Sequence, residues 1–119
     1  MATHNEFGRK GEELAAEHLL QNGYDILERN YTFDKAEIDI IAKKDDTLAA
    51  VEVKARSSID FGNPQDAVNS KKIQRLVKVI DHYIVTNNLD TEVRFDIIAI
   101  TKNGKNHTLE HLEDAFYHF

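Results

Sequence analysis

The segment AEIDIIAKKDDTLAAVEVKARSS, residues 36 to 58, sets Glu37, Asp39, Glu52 and Lys54 inside two apolar runs joined by the polar turn KKDD. Such runs read as neighbouring β-strands, with a hairpin as the simplest connection. Side chains alternate across a strand, so Glu37 and Asp39 are expected on one face and Ile38 and Ile40 on the other. Likewise Glu52 and Lys54 share a face opposite Val51 and Val53. In a regular hairpin the charges meet on one side of the sheet. Carboxylates so placed repel one another unless protonated, paired or bridged by a cation. Burying them unpartnered is costly. Whatever fold the chain adopts must therefore answer for a cluster of charge inside its sheet.

The surrounding sequence supplies a frame for those strands. Residues 6 to 22, EFGRKGEELAAEHLLQN, read as a helix ending at Gly23, with Phe7, Leu14, Ala15 and Leu19 on its apolar arc. Glu13 and Glu17 fall on the solvent side, whereas Glu12 falls beside Ala16 and Leu19 at the margin of the apolar stripe. YDILERNYTF, residues 24 to 33, reads as a strand before the charged pair. Asn63 and Pro64 form a helix-start signal, and the helical pattern runs to about Asn88; Ser70 is an alternative cap that splits this element in two. EVRFDIIAI, residues 92 to 100, passes from alternation to a continuous apolar run, the mark of a central strand covered on both faces. KNGKN is a turn and HTLEHLE a short edge strand. The order αβββαββ predicts an α/β fold with helices packed on a mixed sheet, as one domain over residues 1–119.

Composition narrows the function classes. The chain has no cysteine, which removes disulfides and thiolate metal sites and fits a reducing compartment. It has neither a signal-peptide core nor a bilayer-length apolar run, so a cytoplasmic protein with no membrane partner is expected. The net charge of −6 argues against an extended nucleic-acid surface, leaving only a local one. That local candidate is the 70s helix, where Lys71, Arg75 and Lys78 share a face with Lys72 beside them. A solvated helical face is the alternative.

Oxygen ligands alone favour a hard cation, and Mg²⁺ is commonly held by one or two carboxylates with water and substrate phosphate. A lysine two residues beyond such a carboxylate stands where it can offset charge developing on a phosphate or favour deprotonation of an attacking water. The constellation suits phosphodiester hydrolysis. A Glu-x-Lys triplet means little alone, since a chain of this composition is expected to hold roughly one by chance. The combination of E-I-D, E-V-K and a preceding helix bearing Glu12 is far more restrictive.

With those residues in place the sequence resembles the bacterial YraN family of endonuclease-like proteins, a branch of the PD-(D/E)xK nuclease superfamily that also contains archaeal Holliday-junction resolvases. GRKGEELAAEHL, GYDILERNY, EIDIIA, VEVKAR, FGNPQDAV and RFDIIAI carry the resemblance in order along nearly the whole chain. It implies a restriction-endonuclease-like fold in which Asp39, Glu52 and the Val53 carbonyl hold Mg²⁺ or Mn²⁺. Lys54 then assists a water that attacks DNA phosphate in line and leaves a 5′-phosphate and a 3′-hydroxyl. Glu12 corresponds to the helix-borne acid of the resolvase branch and joins the metal set by that analogy, which also implies a preference for branched or structured DNA. The superfamily's usual proline before the strand acid is absent, with Ile38 in its place.

Several residues keep two readings. Glu37 belongs either to the site or to an ion pair with Lys54 or Arg56. Gln65 either orients a phosphate or water, or caps its helix. Arg56, Lys71, Lys72, Arg75 and Lys78 are the candidate DNA contacts. Arg94 and Asp96 share a strand face and read as a structural pair. The histidines match no ligand spacing, His107 and His111 included. The leading expectation is a metal-dependent endonuclease; the alternative is an accessory module in DNA processing that binds nucleic acid or a protein without cutting. One cleavage centre per chain makes a homodimer the natural arrangement for symmetric double-strand cutting.

Overall fold

In a computed structural model the described residues are 3–57 and 69–115. They form α1 (Thr3–Gln21), β1 (Asp25–Phe33), β2 (Ala36–Lys44), β3 (Thr47–Ser57), α2 (Ser70–Thr86), β4 (Glu92–Asn103) and β5 (Asn106–Leu112). The five strands make one sheet in the order β1-β2-β3-β4-β5. All neighbouring pairs are antiparallel except β3 and β4, which run parallel. A parallel pair needs a crossover, and α2 lies in that connection. None of the helices described is long and apolar enough to cross a membrane.

The helices cover opposite faces of the sheet. Ala15, Ala16 and Leu19 of α1 pack with Ile40, Ala42, Ala49, Val51, Ile98 and Ile100. Leu76, Val79, Ile80 and Tyr83 of α2 pack with Ile38, Ile41, Leu48, Ala50 and Phe95. β4 is buried on both faces from Phe95 to Ile100 and β5 forms an edge, as the apolar run and the short polar strand predict. α1 lies close to β3: a Cβ placed on Gly11 would stand 3.1 Å from the Cβ of Ala55. Glycine here allows the helix to approach the sheet.

Two expectations need correction. Ile38 and Ile40 do not share a face: Ile38 packs with α2 and Ile40 with α1. On β1 the same switch occurs, since Tyr31 packs with the α2 cluster while Arg29, opposite Ile40, meets Glu12 and Glu13 of α1. Between them Asn30 takes a left-handed φ of 55°, a conformation that breaks strict alternation and that asparagine tolerates better than most residues. The second correction concerns α2, whose cap is Asn69 rather than Ser70; its side-chain oxygen accepts the Lys72 N–H at 2.9 Å. The Asn63–Pro64 helix start and Gln65 lie outside the described residues.

Candidate functional site

The ladder between β2 and β3 runs from Lys44–Thr47 to Ile40–Val51 and then stops. Its next rung would set Asp39 directly opposite Glu52, and like charges in that position destabilise a strand pair. Instead the strands part. β2 stays with β1 to the Phe33–Ala36 pair, while β3 stays with β4 to Ser57–Lys102. At the fork the Val53 N–H loses its strand partner and donates to Asp39 Oδ2 at 2.8 Å. The carboxylate thus closes the end of the ladder.

Glu52 lies on the α2 side and is only 5% exposed. Its Oε1 stands 3.2 Å from Lys72 Nζ, whereas its Oε2 is buried without a hydrogen-bond partner among the described residues. Burial, reinforced by the negative charge of Asp39, pushes the Glu52 carboxyl up to about 7 against the pull of Lys72 and Lys54. Asp39 is also raised, first by burial and then by Glu37, with the Val53 N–H, Lys72 and Lys54 opposing. A half-buried acid and a buried one therefore compete for one region of positive charge. Lys54, on the same strand face as Glu52, acts on both through space and makes no ion pair among the described residues.

Glu12 approaches from the other face. Arg29 is 3.8 Å from its Oε1, and the Asn30 side chain and Arg29 both favour its charged form. Burial raises its pKa and Asp39 adds to the rise, so α1 brings a further acid into the field of the fork. Glu37 is exposed, and no ion pair between it and Lys54 or Arg56 occurs among the described residues. Among the described residues no three His, Asp or Glu side chains gather into a metal-holding group. The oxygen-rich pair Asp39 and Glu52, with one carboxylate oxygen lacking a partner, still fits a hard cation that takes its remaining ligands from water or substrate.

The basic residues divide into two sets. Lys71, Arg75 and Lys78 line a groove of about 330 Å³ between α2 and the β1–β2 hairpin, with Phe33 and Ala36 on its other wall. Lys78 pairs with Asp34 there at 3.2 Å. Lys72 is set apart from them, turned inward onto Glu52. Arg56 lies on β3, its Nε 3.5 Å from Thr101 Oγ1.

Residues 11–100 match the family described as Uncharacterised protein family UPF0102. A UPF0102 protein of Flavobacterium psychrophilum is 60% identical over 119 residues, covering the whole of both chains. The chain belongs to UPF0102. Another UPF0102 protein, from Christiangramia forsetii, is 59% identical over the full length of both. One from Phocaeicola vulgatus is 47% identical over 117 residues, 98% of this chain and 97% of its own. The matched UPF0102 span begins at Gly11, where α1 meets β3, and encloses Glu12, the fork and α2.

A second charged cluster lies beneath α1. Asp96, fully buried, takes both Nε and Nη2 of Arg94 at 2.9 Å, His111 Nε2 at 2.8 Å and the Asp114 N–H at 3.0 Å. Arg94 also bonds the Tyr24 hydroxyl. Although burial pushes Asp96 upward, these donors outweigh it and hold the carboxyl below its ordinary value. Arg94 and Asp96 form the structural pair expected of them. His111 spends its other ring nitrogen on His18 at 3.1 Å, so it is an internal link rather than half of a site with His107.

Proposed function

We propose that this protein is a divalent-cation-dependent nuclease of the PD-(D/E)xK type that hydrolyses DNA phosphodiester bonds. One observation carries the reading: β2 and β3 separate where Asp39 and Glu52 would collide, leaving a half-buried Asp39, a buried Glu52 and, among the described residues, an unpartnered Glu52 oxygen beside Lys54. A structural ion pair would leave neither the excess negative charge nor the orphaned oxygen. The mixed sheet, with β3 and β4 parallel across α2, supports a restriction-endonuclease-like fold.

In this reading Asp39, Glu52 and the Val53 carbonyl would hold Mg²⁺ or Mn²⁺, with Glu12 as the outer acid from α1. The cation supplies Lewis-acid stabilisation of a phosphoryl oxygen. Lys54 offsets negative charge on the phosphate and favours loss of a proton from the attacking water. Water oxygen bonds to phosphorus, the bond to the 3′-oxygen breaks, and that oxygen takes a proton to leave a 3′-hydroxyl and a 5′-phosphate. Lys71, Arg75 and Lys78 hold the backbone in the adjoining groove, with branched or structured DNA as the preferred class.

The test is cleavage of labelled single-stranded, duplex, flap and four-way-junction DNA with Mg²⁺ or Mn²⁺, using Asp39→Asn protein purified identically. Cleavage by the native chain alone supports the assignment; equal cleavage by both refutes the site. Salt-sensitive binding without cleavage by either protein would identify an accessory binding module instead. A homodimer is the form expected to cut both strands, and a monomer in sedimentation at working concentration would oppose it.

A further inference from the structure

Lys72 stands outside the strand motif, yet its ammonium makes the closest described ion pair with either fork acid. Three observations define its role. Its side chain is about one third exposed, whereas that of Glu52 is 7% exposed, so the lysine end of the pair has a path to solvent and the carboxylate does not. The ammonium satisfies Oε1 and leaves Oε2 without a partner, so Lys72 compensates the site's charge without completing its hydrogen bonding. Finally, Lys72 lies in the first turn of α2, with Asn69 capping the Lys72 N–H itself, so the backbone beneath the ammonium is fixed while its flexible stem is not.

We propose that Lys72 is a built-in, exchangeable counter-ion: its ammonium neutralises Glu52 while no divalent cation is bound and must withdraw for one to bind between Glu52 and Asp39. This rests on the cation site proposed above. A +1 charge held at 3.2 Å from a ligand oxygen repels an incoming +2 charge and shares the lone pairs it needs. A long side chain with a route to water can leave; a short or buried one cannot. Withdrawn, the ammonium lies on the same helix as Lys71, Arg75 and Lys78, whose side chains line the groove beside the hairpin. The exchange thus makes divalent-cation binding weaker than the two carboxylates alone would give, and returns a positive charge to the side of the site where a phosphate arrives. Lys72 is a positioning residue, distinct from Lys54.

The distinguishing measurement is Mn²⁺ affinity without DNA, by calorimetry or by the loss of the free-ion resonance. Lys72→Met keeps the stem and removes the charge; it is expected to bind Mn²⁺ about tenfold more tightly than the native chain, equivalent to about 1.4 kcal/mol. Lys72→Arg retains the charge and should stay within about twofold of native, as should Lys71→Met on the outer face. Glu52→Gln should abolish the gain. If Lys72→Met fails to fold by circular dichroism, Lys72→Gln carries the same expectation. Unchanged or weaker binding in folded Lys72→Met or Lys72→Gln, with native binding intact, overturns the exchange and leaves the cation site standing. No Mn²⁺ binding by any of these proteins overturns the cation site and the exchange with it. A purely structural lysine would not, on removal, tighten binding.

Discussion

Replacing Glu52 by Gln should make the protein more stable at neutral and alkaline pH, although it removes a buried ion pair. Burial and Asp39 together displace the Glu52 carboxyl from 4.5 to about 7 even with Lys72 in place. Between those values the folded chain keeps a proton that the unfolded chain has released, so stability falls as pH rises through that window and levels off above it. Each pKa unit is worth about 1.4 kcal/mol, which puts the full cost of ionising Glu52 at roughly 3 kcal/mol. Glutamine resembles the protonated acid in shape and removes this cost. With an unfolding entropy of about 2.1 cal/mol/K per residue, the gain corresponds to an upper limit of roughly 12 °C in Tm for a chain this long. Half of that is a sound target, because Lys72 is left to find water. The assay is urea or thermal unfolding of both proteins at about pH 8 and about pH 5, bracketing most of the transition. The gain should be present at the higher pH and fall to about a quarter of that at the lower. Glu52→Gln no more stable than native at about pH 8, or equally favoured at both pH values, would refute the claim that Glu52 is an electrostatic burden on the fold.

Asp96→Asn is expected to act in the opposite sense, costing about 3 kcal/mol near neutrality because it leaves Arg94 and His111 without their anion. Since Asp96 is held below its ordinary value, its contribution is present above that value and lost as pH falls through the folded pKa; the mutant's deficit in urea unfolding should therefore shrink in acid. Gly11→Val should cost about 2 kcal/mol by the same assay, because even a Cβ at that position comes within 3.1 Å of Ala55 and the branched side chain forces α1 off β3. If the groove binds DNA, the double change Lys71→Ala and Arg75→Ala should reduce the slope of log affinity against log salt by about 2. Lys78→Ala should have less effect, because Asp34 already pairs with it.

The strands were legible where apolar runs left little choice, as in IDIIA of β2, LAAVEV of β3 and FDIIAI of β4. Their neighbours in the sheet followed from short connections, the β1–β2 turn being set by Asp34 and Lys35, both at positive φ as a type I′ turn requires. Faces were less legible. Strict alternation fails at the Asn30–Asp39 level because a left-handed residue resets the side-chain directions, and nothing in a period-2 pattern registers it. The fork was also hidden, since a hairpin read from sequence carries its ladder to both ends. Its signal was nevertheless available: Lys44–Thr47 register places Asp39 against Glu52, an opposition a regular ladder does not tolerate well. Adjacency in the sequence groups Lys72 with the outer lysines. Helical spacing separates it, because Lys72 precedes Leu76, Val79 and Ile80 by four, seven and eight residues and so falls on the buried stripe of α2. By the same spacing Glu12, beside Leu19 and Ala16, falls at the edge of the α1 stripe, where it is partly buried.

The fork also dictates which substitution tests the chemistry cleanly. Asp39 has a structural task that Glu52 lacks: its Oδ2 accepts the Val53 N–H at the point where β2 no longer can. Asp39→Asn retains an acceptor oxygen for that bond and removes the charge, so the strand end should stay closed. It should also relieve repulsion of Glu52. Asp39→Ala removes the acceptor and leaves a part-buried backbone N–H unsatisfied, a loss of about 1 to 3 kcal/mol that would loosen the strand carrying Glu52 and Lys54. The two variants should therefore diverge in stability while agreeing in activity: both without cleavage, Asn at least as stable as native, Ala less stable by that amount in urea unfolding. Protection of the Val53 amide from hydrogen exchange should survive in Asn and collapse in Ala. Equal stability of the two, with Val53 equally protected, would show that the carboxylate does not close the ladder, and the separation of β2 from β3 would then need a cause other than the opposition of Asp39 and Glu52.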